Sequence, residues 1–110
     1  MLKTILKSWG REEIIYNDLY CAKLLIYTRP GIASSLHYHE KKTETFLITS
    51  GLFMIEVGKD SVPQKFEPGD SITLPPGVAH RVRCVKPGAI VEASTHDDQA
   101  DCVRLEASET

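Results

Sequence analysis

Turn-forming residues recur along this chain roughly every ten residues, a spacing typical of short strands joined by tight connections. The turn signals are YND at 16–18, RPG at 29–31, EKKT at 40–43, SG at 50–51, GKDS at 58–61, EPGD at 67–70, PPG at 75–77 and KPG at 86–88. The segments between them, such as ETFLIT and LFMIEV, are rich in β-branched and aromatic residues. This pattern predicts an all-β sandwich or barrel.

The length and composition fit one ordinary globular domain. A chain of 110 residues predicts a single domain over residues 1–110, and the sequence contains no repeat or linker. One short helix is expected over residues 2–8, where the segment LKTILKS is the one stretch with a helical pattern. The formal net charge of -2 gives no reason to expect nucleic acid or an anionic membrane as partner.

The sequence also predicts where the protein resides. It contains no apolar run of about 18 residues, so no membrane-spanning segment is expected. The N-terminal residues lack the long apolar stretch of a signal peptide, which favours a cytoplasmic location. Cys21, Cys84 and Cys102 are odd in number and show no CxxC spacing, so we expect reduced thiols.

Three polar residues with metal-binding chemistry lie close together between residues 37 and 44. His37 and His39 are two apart, so on a strand they point to the same face, with Tyr38 on the other. If EKKT at 40–43 forms a hairpin loop, Glu44 lies directly across from His39, with Cβ atoms about 5 Å apart. One hairpin would therefore bring two imidazoles and a carboxylate to one point.

A third imidazole follows the turn at Pro76-Gly77, where proline and then glycine suit a type II turn. His80 lies three residues into the strand expected after that turn. Three histidines and one carboxylate on one interior face would bind a divalent transition metal and leave one or two coordination positions open. Because imidazole must be neutral to bind a metal, affinity is expected to fall as pH drops through about 6.5.

These residues form two longer motifs, G-x5-H-x-H-x4-E-x6-G from Gly31 to Gly51 and G-x5-P-x-G-x2-H from Gly69 to His80. The pair resembles the signature of the cupin superfamily. The resemblance implies a jelly-roll β-barrel with a six-stranded core. It also implies a metal held by the following residues: His37, His39, Glu44 and His80.

The sequence departs from the cupin signature at Cys84, where the family usually has asparagine. Cys84 has the strand parity of His80, but four residues of strand span about 13 Å, too far for both side chains to reach one metal. We therefore expect Cys84 to be a small core residue.

Three flanking features resemble the cupin part of type II mannose-6-phosphate isomerases: Trp9-Gly10, the segment AKLLIYTRPG with Lys23, and the segment 92–106. The resemblance implies an aldose–ketose isomerase acting on a sugar or sugar phosphate. Lys23 and Glu92 are charged residues inside β-type runs, where a charge must be paired, exposed or functional. If they point inward, they are the candidate proton donor and acceptor; if outward, they are surface charges.

Other functions remain open at this stage. The same ligands suit ferrous iron in a dioxygenase, and a small cupin can also be a non-catalytic sugar-binding module. The sequence leaves the metal open among Mn, Fe, Zn, Ni and Co. Lys41 and Lys42 are expected at a solvated hairpin tip, where they could guide an anionic substrate. The segment FLITSGLFMIEV is apolar on both parities, which predicts a two-fold homodimer.

Overall fold

The computed structural model describes residues 2–59 and 61–110 and consists almost entirely of strands. The strands are β1 (Lys3–Lys7), β2 (Gly10–Asn17), β3 (Cys21–Tyr27), β4 (Leu36–His39), β5 (Glu44–Val57), β6 (Gln64–Phe66), β7 (Ser71–Leu74), β8 (His80–Ser94) and β9 (Cys102–Glu106). A single turn of 3-10 helix, Gln99–Asp101, precedes β9. Among the described residues, no helix has the length and apolar character needed to span a membrane.

The prediction of a helix over residues 2–8 is wrong, because residues 3–7 form the edge strand β1. This strand pairs antiparallel with β2, from Lys3 opposite Ile14 to Lys7 opposite Gly10. The segment contains good helix formers, but an isolated helix of this length is marginal in water. Pairing with β2 gives its backbone a stable set of hydrogen-bonding partners instead.

All of the strand pairs are antiparallel, and together they form a curled sheet. One path runs in the order β1-β2-β3-β8-β4-β9, while β5 pairs with β6, β7 and β8. Sequence neighbours such as β4 and β5 therefore lie in different parts of the sheet. The predicted all-β jelly-roll is confirmed.

The long pair of β5 and β8 bends and closes the fold on itself. β5 has 14 residues, and a straight strand of that length would separate its ends by roughly 40 Å. The Cα atoms of the molecule extend only 32 Å along the longest axis. The register shifts repeatedly between Ile48 and Phe53, as expected where a strand bends at bulges.

Glycines make this bend sterically possible. Gly51 has a positive φ of 87°, and a Cβ there would lie 2.7 Å from the carbonyl oxygen of Lys86. A Cβ on Gly88 would meet the carbonyl oxygen of Ser50 at 2.1 Å. The backbones of β5 and β8 can therefore approach this closely only without side chains at these two positions.

The concave side of the curled sheet carries the core. The largest fully buried side chains are Phe53, Ile48, Ile55, Leu74, Ile90, Cys21 and Cys84. Trp9 is 4% exposed and stacks on Tyr27 with ring centroids 4.1 Å apart, and Tyr27 meets Phe53 edge-on at 5.1 Å. This aromatic group forms a rigid apolar floor beside the polar cavity described below.

Candidate metal centre

The three histidines are brought together by strand pairing. His37 and His80 are direct partners between β4 and β8, and their ring centroids lie 4.6 Å apart. His37 and His39 share a face of β4, with ring centroids 5.1 Å apart. The period-two pattern in the sequence therefore places the two imidazoles of β4 as predicted.

Glu44 reaches this cluster by a different route from the predicted hairpin. The segment 40–43 does connect β4 to β5, but β4 pairs with β8 and β9 rather than with β5. Glu44 pairs with Ser94, and His80 pairs with Val57, so the two lie at opposite ends of the β5–β8 ladder. Because that ladder bends, Glu44 Oε1 comes within 2.7 Å of His80 Nε2.

The four side chains form a compact set of metal-ligating groups. One ligand atom from each of His37, His39, Glu44 and His80 lies within 4.8 Å of the others. Glu44 Oε2 is also 3.9 Å from His39 Nε2. Cys84 is fully buried and belongs to the hydrophobic core cluster, as the spacing argument predicted.

Backbone contacts at Nδ1 orient two of the three imidazoles. His37 Nδ1 lies 3.1 Å from the carbonyl oxygen of Ser35, and His80 Nδ1 lies 3.0 Å from that of Val78. A carbonyl oxygen only accepts, so the Nδ1 of His80 carries the hydrogen and donates it, which places the lone pair of that ring on Nε2, the arrangement that metal-binding histidines use. His37 Nδ1 also lies 2.9 Å from Ser35 Oγ, a hydroxyl that can donate or accept, so these contacts fix the orientation of the His37 ring rather than its tautomer.

The site has buried polar atoms that need a partner. Three such atoms at the cluster make no hydrogen bond among the described residues: His39 Nδ1, Glu44 Oε1 and His80 Nε2. Glu44 Oε1 and His80 Nε2 are close, but their alignment does not meet hydrogen-bond geometry. Buried polar atoms without partners are costly, and a divalent cation would satisfy such donors. The residues present therefore fit a divalent metal.

The protonation states also suit a metal. Burial, reinforced by the neighbouring His80 and His39, lowers the pKa of His37 to about 3. Burial and nearby Lys42 lower the pKa of His39. Burial alone would raise the pKa of Glu44, but His80 and Lys42 bring it to about 2. Proton competition at His37 and His39 is thus expected below pH 6.5, the value for a free imidazole.

Lys23 and Glu92 both point inward, which answers the question that the sequence left open. Each is 4% exposed, and they are register partners between β3 and β8. Lys23 Nζ donates to Glu12 Oε1 at 3.0 Å and Asp97 Oδ2 at 2.8 Å. Glu92 Oε2 accepts from Ser94 Oγ at 3.0 Å and from the ammonium of Lys42 at 3.1 Å.

The pKa values of Glu92 and Lys23 are both raised, although for different reasons. Burial, with the charge of Glu44, raises the pKa of Glu92. Burial would lower the pKa of Lys23, but the surrounding carboxylates, led by Glu92 and Glu12, raise it instead. The Glu92 carboxylate therefore binds a proton more readily than a free carboxylate does, whereas Lys23 holds its proton firmly.

Sequence reasoning missed Lys42, which is not at a solvated hairpin tip. Its side chain is 3% exposed, and its ammonium lies 3.0 Å from Glu44, 3.1 Å from Glu92 and 2.9 Å from Asp97. These carboxylates, led by Glu92 and Glu44, raise its pKa although burial would lower it. A charged residue in a short polar connection normally signals exposure, so no local signal distinguished Lys42 from its exposed neighbour Lys41.

Two aspartates in the segment 95–101 were also missed. Asp97 bridges Lys23 and Lys42, and the side chain of Asn17, the last residue of β2, hydrogen-bonds to the backbone of Asp97. The carboxylate of Asp101 accepts the backbone N–H groups of residues 40, 41 and 42 at 2.9 to 3.1 Å. This segment is therefore tied to the connection that carries Lys42. His96, the fourth histidine of the chain, is exposed.

One cavity of about 90 Å³ is bordered by the cluster together with Glu92, Asp97 and both buried lysines. Its walls include the four clustered side chains and both buried lysines, together with Trp9, Phe46 and Tyr27 on the apolar side. The cavity is therefore a small polar chamber with one apolar wall. An arrangement of this kind can hold a metal and a small polar molecule against it.

The fold and the cluster define a β-barrel protein with a metal-type site in its interior. The chain matches the Cupin domain family over residues 25–94, which is more than half of its length, and it therefore belongs to that family. It is also 40% identical over 55 residues to Protein SchB of Streptomyces halstedii. That match covers 50% of this chain and 38% of SchB.

Solved structures support the fold. KdgF from Halomonas sp. superposes with a TM-score of 0.75 over 91% of this chain and 89% of its own, at 16% identity. CapF of Staphylococcus aureus, described as a capsular polysaccharide assembling protein, gives 0.78 over 97% of this chain at 19% identity. The chain spans only 32% of CapF. At these identities the likeness concerns the fold alone.

Proposed function

We propose that this protein is a metal-dependent isomerase of a sugar or sugar phosphate, with the metal bound by His37, His39, Glu44 and His80. The observation that carries the proposal is the adjacency of two features in one cavity. One is the cluster of four ligand-type side chains, and the other is the buried Glu92 with a raised pKa. Manganese, iron, zinc, nickel and cobalt all suit such donors.

A divalent metal would act as a Lewis acid toward two adjacent substrate oxygens and stabilise enediolate-like charge. Glu92 is the proposed base. Its two hydrogen bonds both use Oε2, which leaves Oε1 without a hydrogen bond among the described residues. Oε1 would take the proton from the carbon next to the substrate carbonyl and return it to the former carbonyl carbon, while the hydroxyl proton on that neighbouring carbon passes to the former carbonyl oxygen, so that an aldose becomes a ketose.

Lys23 has a supporting part in this proposal. Its ammonium donates to Glu12 and Asp97, and its raised pKa makes it a weak proton donor. It faces Glu92 across the β3–β8 pair and offsets part of the negative charge there. We therefore propose that Lys23 holds Glu92 in a state ready to accept a proton, rather than giving up its own.

Two considerations lead us to propose a carbohydrate substrate. The flanking segments resemble those of sugar-phosphate isomerases, and CapF, whose fold is similar, is described as assembling a capsular polysaccharide. Carboxylates lining a small polar cavity suit the hydroxyl groups of a sugar as hydrogen-bond acceptors.

Isotope exchange tests the proposal directly. The protein is loaded in turn with each of the five metals and incubated with a panel of aldoses and their 6-phosphates in D₂O. We expect deuterium at C2 of one aldose and conversion to the ketose, followed by NMR. Glu92→Gln should slow exchange by about 100-fold or more without altering metal content, and Glu67→Gln, an exposed glutamate, should not.

Other outcomes would point elsewhere. Absence of exchange with every metal and every sugar would contradict the isomerase. Oxygen uptake with thiols or catechols by the iron-loaded protein would favour the dioxygenase. Tight sugar binding without turnover would favour the binding module.

We also propose that the protein is a homodimer in the cytoplasm. In β5 the side chains of Phe46, Ile48 and Phe53 are buried within the chain, while Leu47 is 42% exposed. Light scattering coupled to size-exclusion chromatography tests the dimer, since a monomer mass at micromolar concentration would contradict it. Fractionation of cells that produce the protein tests the location.

A further inference from the structure

Lys42 is an unusual residue to find beside a cation site. Its ammonium forms ion pairs with the carboxylates of Glu44, Glu92 and Asp97, all within 3.1 Å. Lys42 lies in the connection between His39 and Glu44, and three backbone N–H groups of that connection are fixed by Asp101. The position of the ammonium is thus built into the fold.

The carboxylates around the cavity explain the position of the Lys42 ammonium. Four carboxylates line it and belong to largely buried residues: Glu12, Glu44, Glu92 and Asp97. Lys23 is paired with Glu12 and Asp97. Among the described residues, Lys42 is therefore the one lysine whose ammonium contacts Glu44. Without it, and without a metal, a buried anion would have no cation beside it, which is strongly destabilising.

We propose that Lys42 is a resident cation that competes with the divalent metal for Glu44 and thereby sets the metal affinity of the site. The inference rests on the metal site of the proposed function. Lys42 stabilises the metal-free protein by neutralising Glu44. It weakens metal binding because a fixed positive charge lies next to the position that the incoming cation must take.

Competition should outweigh any help that Lys42 gives in orienting Glu44. The Glu44 side chain is 2% exposed and therefore confined by its neighbours, and its backbone is paired on both sides, with Leu74 and with Ser94. Removing the Lys42 ammonium should therefore leave Glu44 in the same orientation, and it should abolish the repulsion between Lys42 and a metal. Removing the ammonium should tighten the site.

Metal titration of Lys42→Met tests this, because methionine keeps most of the side-chain volume and removes the charge. The probes are Zn²⁺ and Mn²⁺ alone, measured by competition with a chelating dye on protein stripped of metal. We expect Kd to fall at least tenfold. We also expect the metal-free variant to melt at a lower temperature, and metal to raise its melting temperature by more than in the original protein.

The matched control is Lys41→Met, since the side chain of Lys41 is exposed and adjacent in the chain. Lys41→Met should leave the Kd for metal and the melting temperature of the metal-free protein unchanged. If Lys42→Met does not fold, the comparison moves to Lys42→Met with Glu92→Gln against Glu92→Gln alone, because the second change removes one of the carboxylates left without a cation. The same tightening is expected there.

The outcomes separate this inference from the proposed function. Unchanged or weaker metal binding in a folded Lys42 variant would overturn the competition, even if the protein proved to be an isomerase. Tighter binding together with no isomerase activity would support the competition and reject the activity. A protein that binds neither probe would overturn both.

Discussion

At the scale of single residues, the four histidines differ in what surrounds their rings. Three line one cavity, and the fourth, His96, is exposed on the segment 95–101. We expect His39→Ala to weaken metal binding by about 100-fold or more, because one of four clustered donors is lost. His96→Ala is the matched control and should bind as the original protein does. Metal content after dialysis, measured by mass spectrometry, distinguishes the two, and equal losses would contradict the assignment.

Asp97 gives a prediction about pH. Burial would raise the pKa of its carboxyl, but hydrogen bonds from Lys23 and Lys42 lower it well below its usual range. The folded protein therefore prefers the charged form, so Asp97 stabilises the fold fully above about pH 4, and this contribution declines as pH falls further. We expect Asp97→Asn to lower the free energy of unfolding at pH 7 by roughly 3 kcal/mol.

Urea denaturation at several pH values checks this prediction. The difference between the original protein and Asp97→Asn should be largest near neutrality and shrink toward pH 3. A difference that stayed constant over that range would show that the charge of Asp97 is not the cause.

At the scale of elements, the connection between β4 and β5 has three consecutive backbone N–H groups bound to one carboxylate. Asp101 accepts three backbone N–H groups from residues 40–42. We expect Asp101→Ala to cost roughly 3 kcal/mol of stability, because it leaves buried donors without partners. Metal affinity should change with it, since this connection joins His39 to Glu44 and carries Lys42.

Asp98→Ala is the control for Asp101, because among the described residues the carboxylate of Asp98 accepts one N–H group, that of Ala100 in the 3-10 turn. Its loss should cost about 1 kcal/mol and leave metal binding unchanged. Chemical denaturation and metal titration of both variants make the comparison. Equal losses of stability and of metal affinity in the two variants would show that Asp101 does not stabilise the connection between β4 and β5.

The bend between β5 and β8 gives a second prediction at this scale. Gly51 and Gly69 both have positive φ, but only Gly51 has backbone atoms close to the position of a Cβ. Gly69→Ala should therefore cost about 1 kcal/mol, for the strained backbone alone. Gly51→Ala should cost clearly more and should also weaken metal binding, because the bend brings Glu44 to His80. Thermal melting of the two variants tests this, and similar losses would contradict it.

The same elements show how far the sequence could be interpreted. Turn residues and β-branched runs predict the strands, and period-two spacing puts His37 and His39 on one face. The prediction that a hairpin places Glu44 opposite His39 was wrong, because strand pairing depends on contacts between residues distant in the chain. The bent strand β5 has fourteen residues, and in the sequence it looks like two short strands joined by a turn. The inward position of Lys42 was missed for the same reason. Its partners Glu92 and Asp97 lie 50 and 55 residues away.

At the scale of the whole molecule, the site draws its four side chains from three different strands. His37 and His39 come from β4, Glu44 from the start of β5 and His80 from the start of β8. A cation bound by all four would cross-link both ends of the bent β5–β8 pair to β4. Metal binding should therefore stabilise the entire fold rather than one loop.

The last prediction follows from that linkage. A ligand that binds only the folded state at 100 times its Kd adds about 2.7 kcal/mol to stability. For a domain of this size that corresponds to a rise in melting temperature of about 10 °C. We expect EDTA to lower the melting temperature by this amount, and a stoichiometric excess of Zn²⁺ to restore it. Calorimetry should show one cooperative transition in both states. In His39→Ala the melting temperatures with EDTA and with Zn²⁺ should coincide. The loss of one ligand removes the cross-link, so metal no longer stabilises the folded state. If the original protein bound Zn²⁺ tightly and melted at the same temperature with and without it, the unfolded chain would have to bind the metal as tightly as the folded one, which would contradict the cross-link.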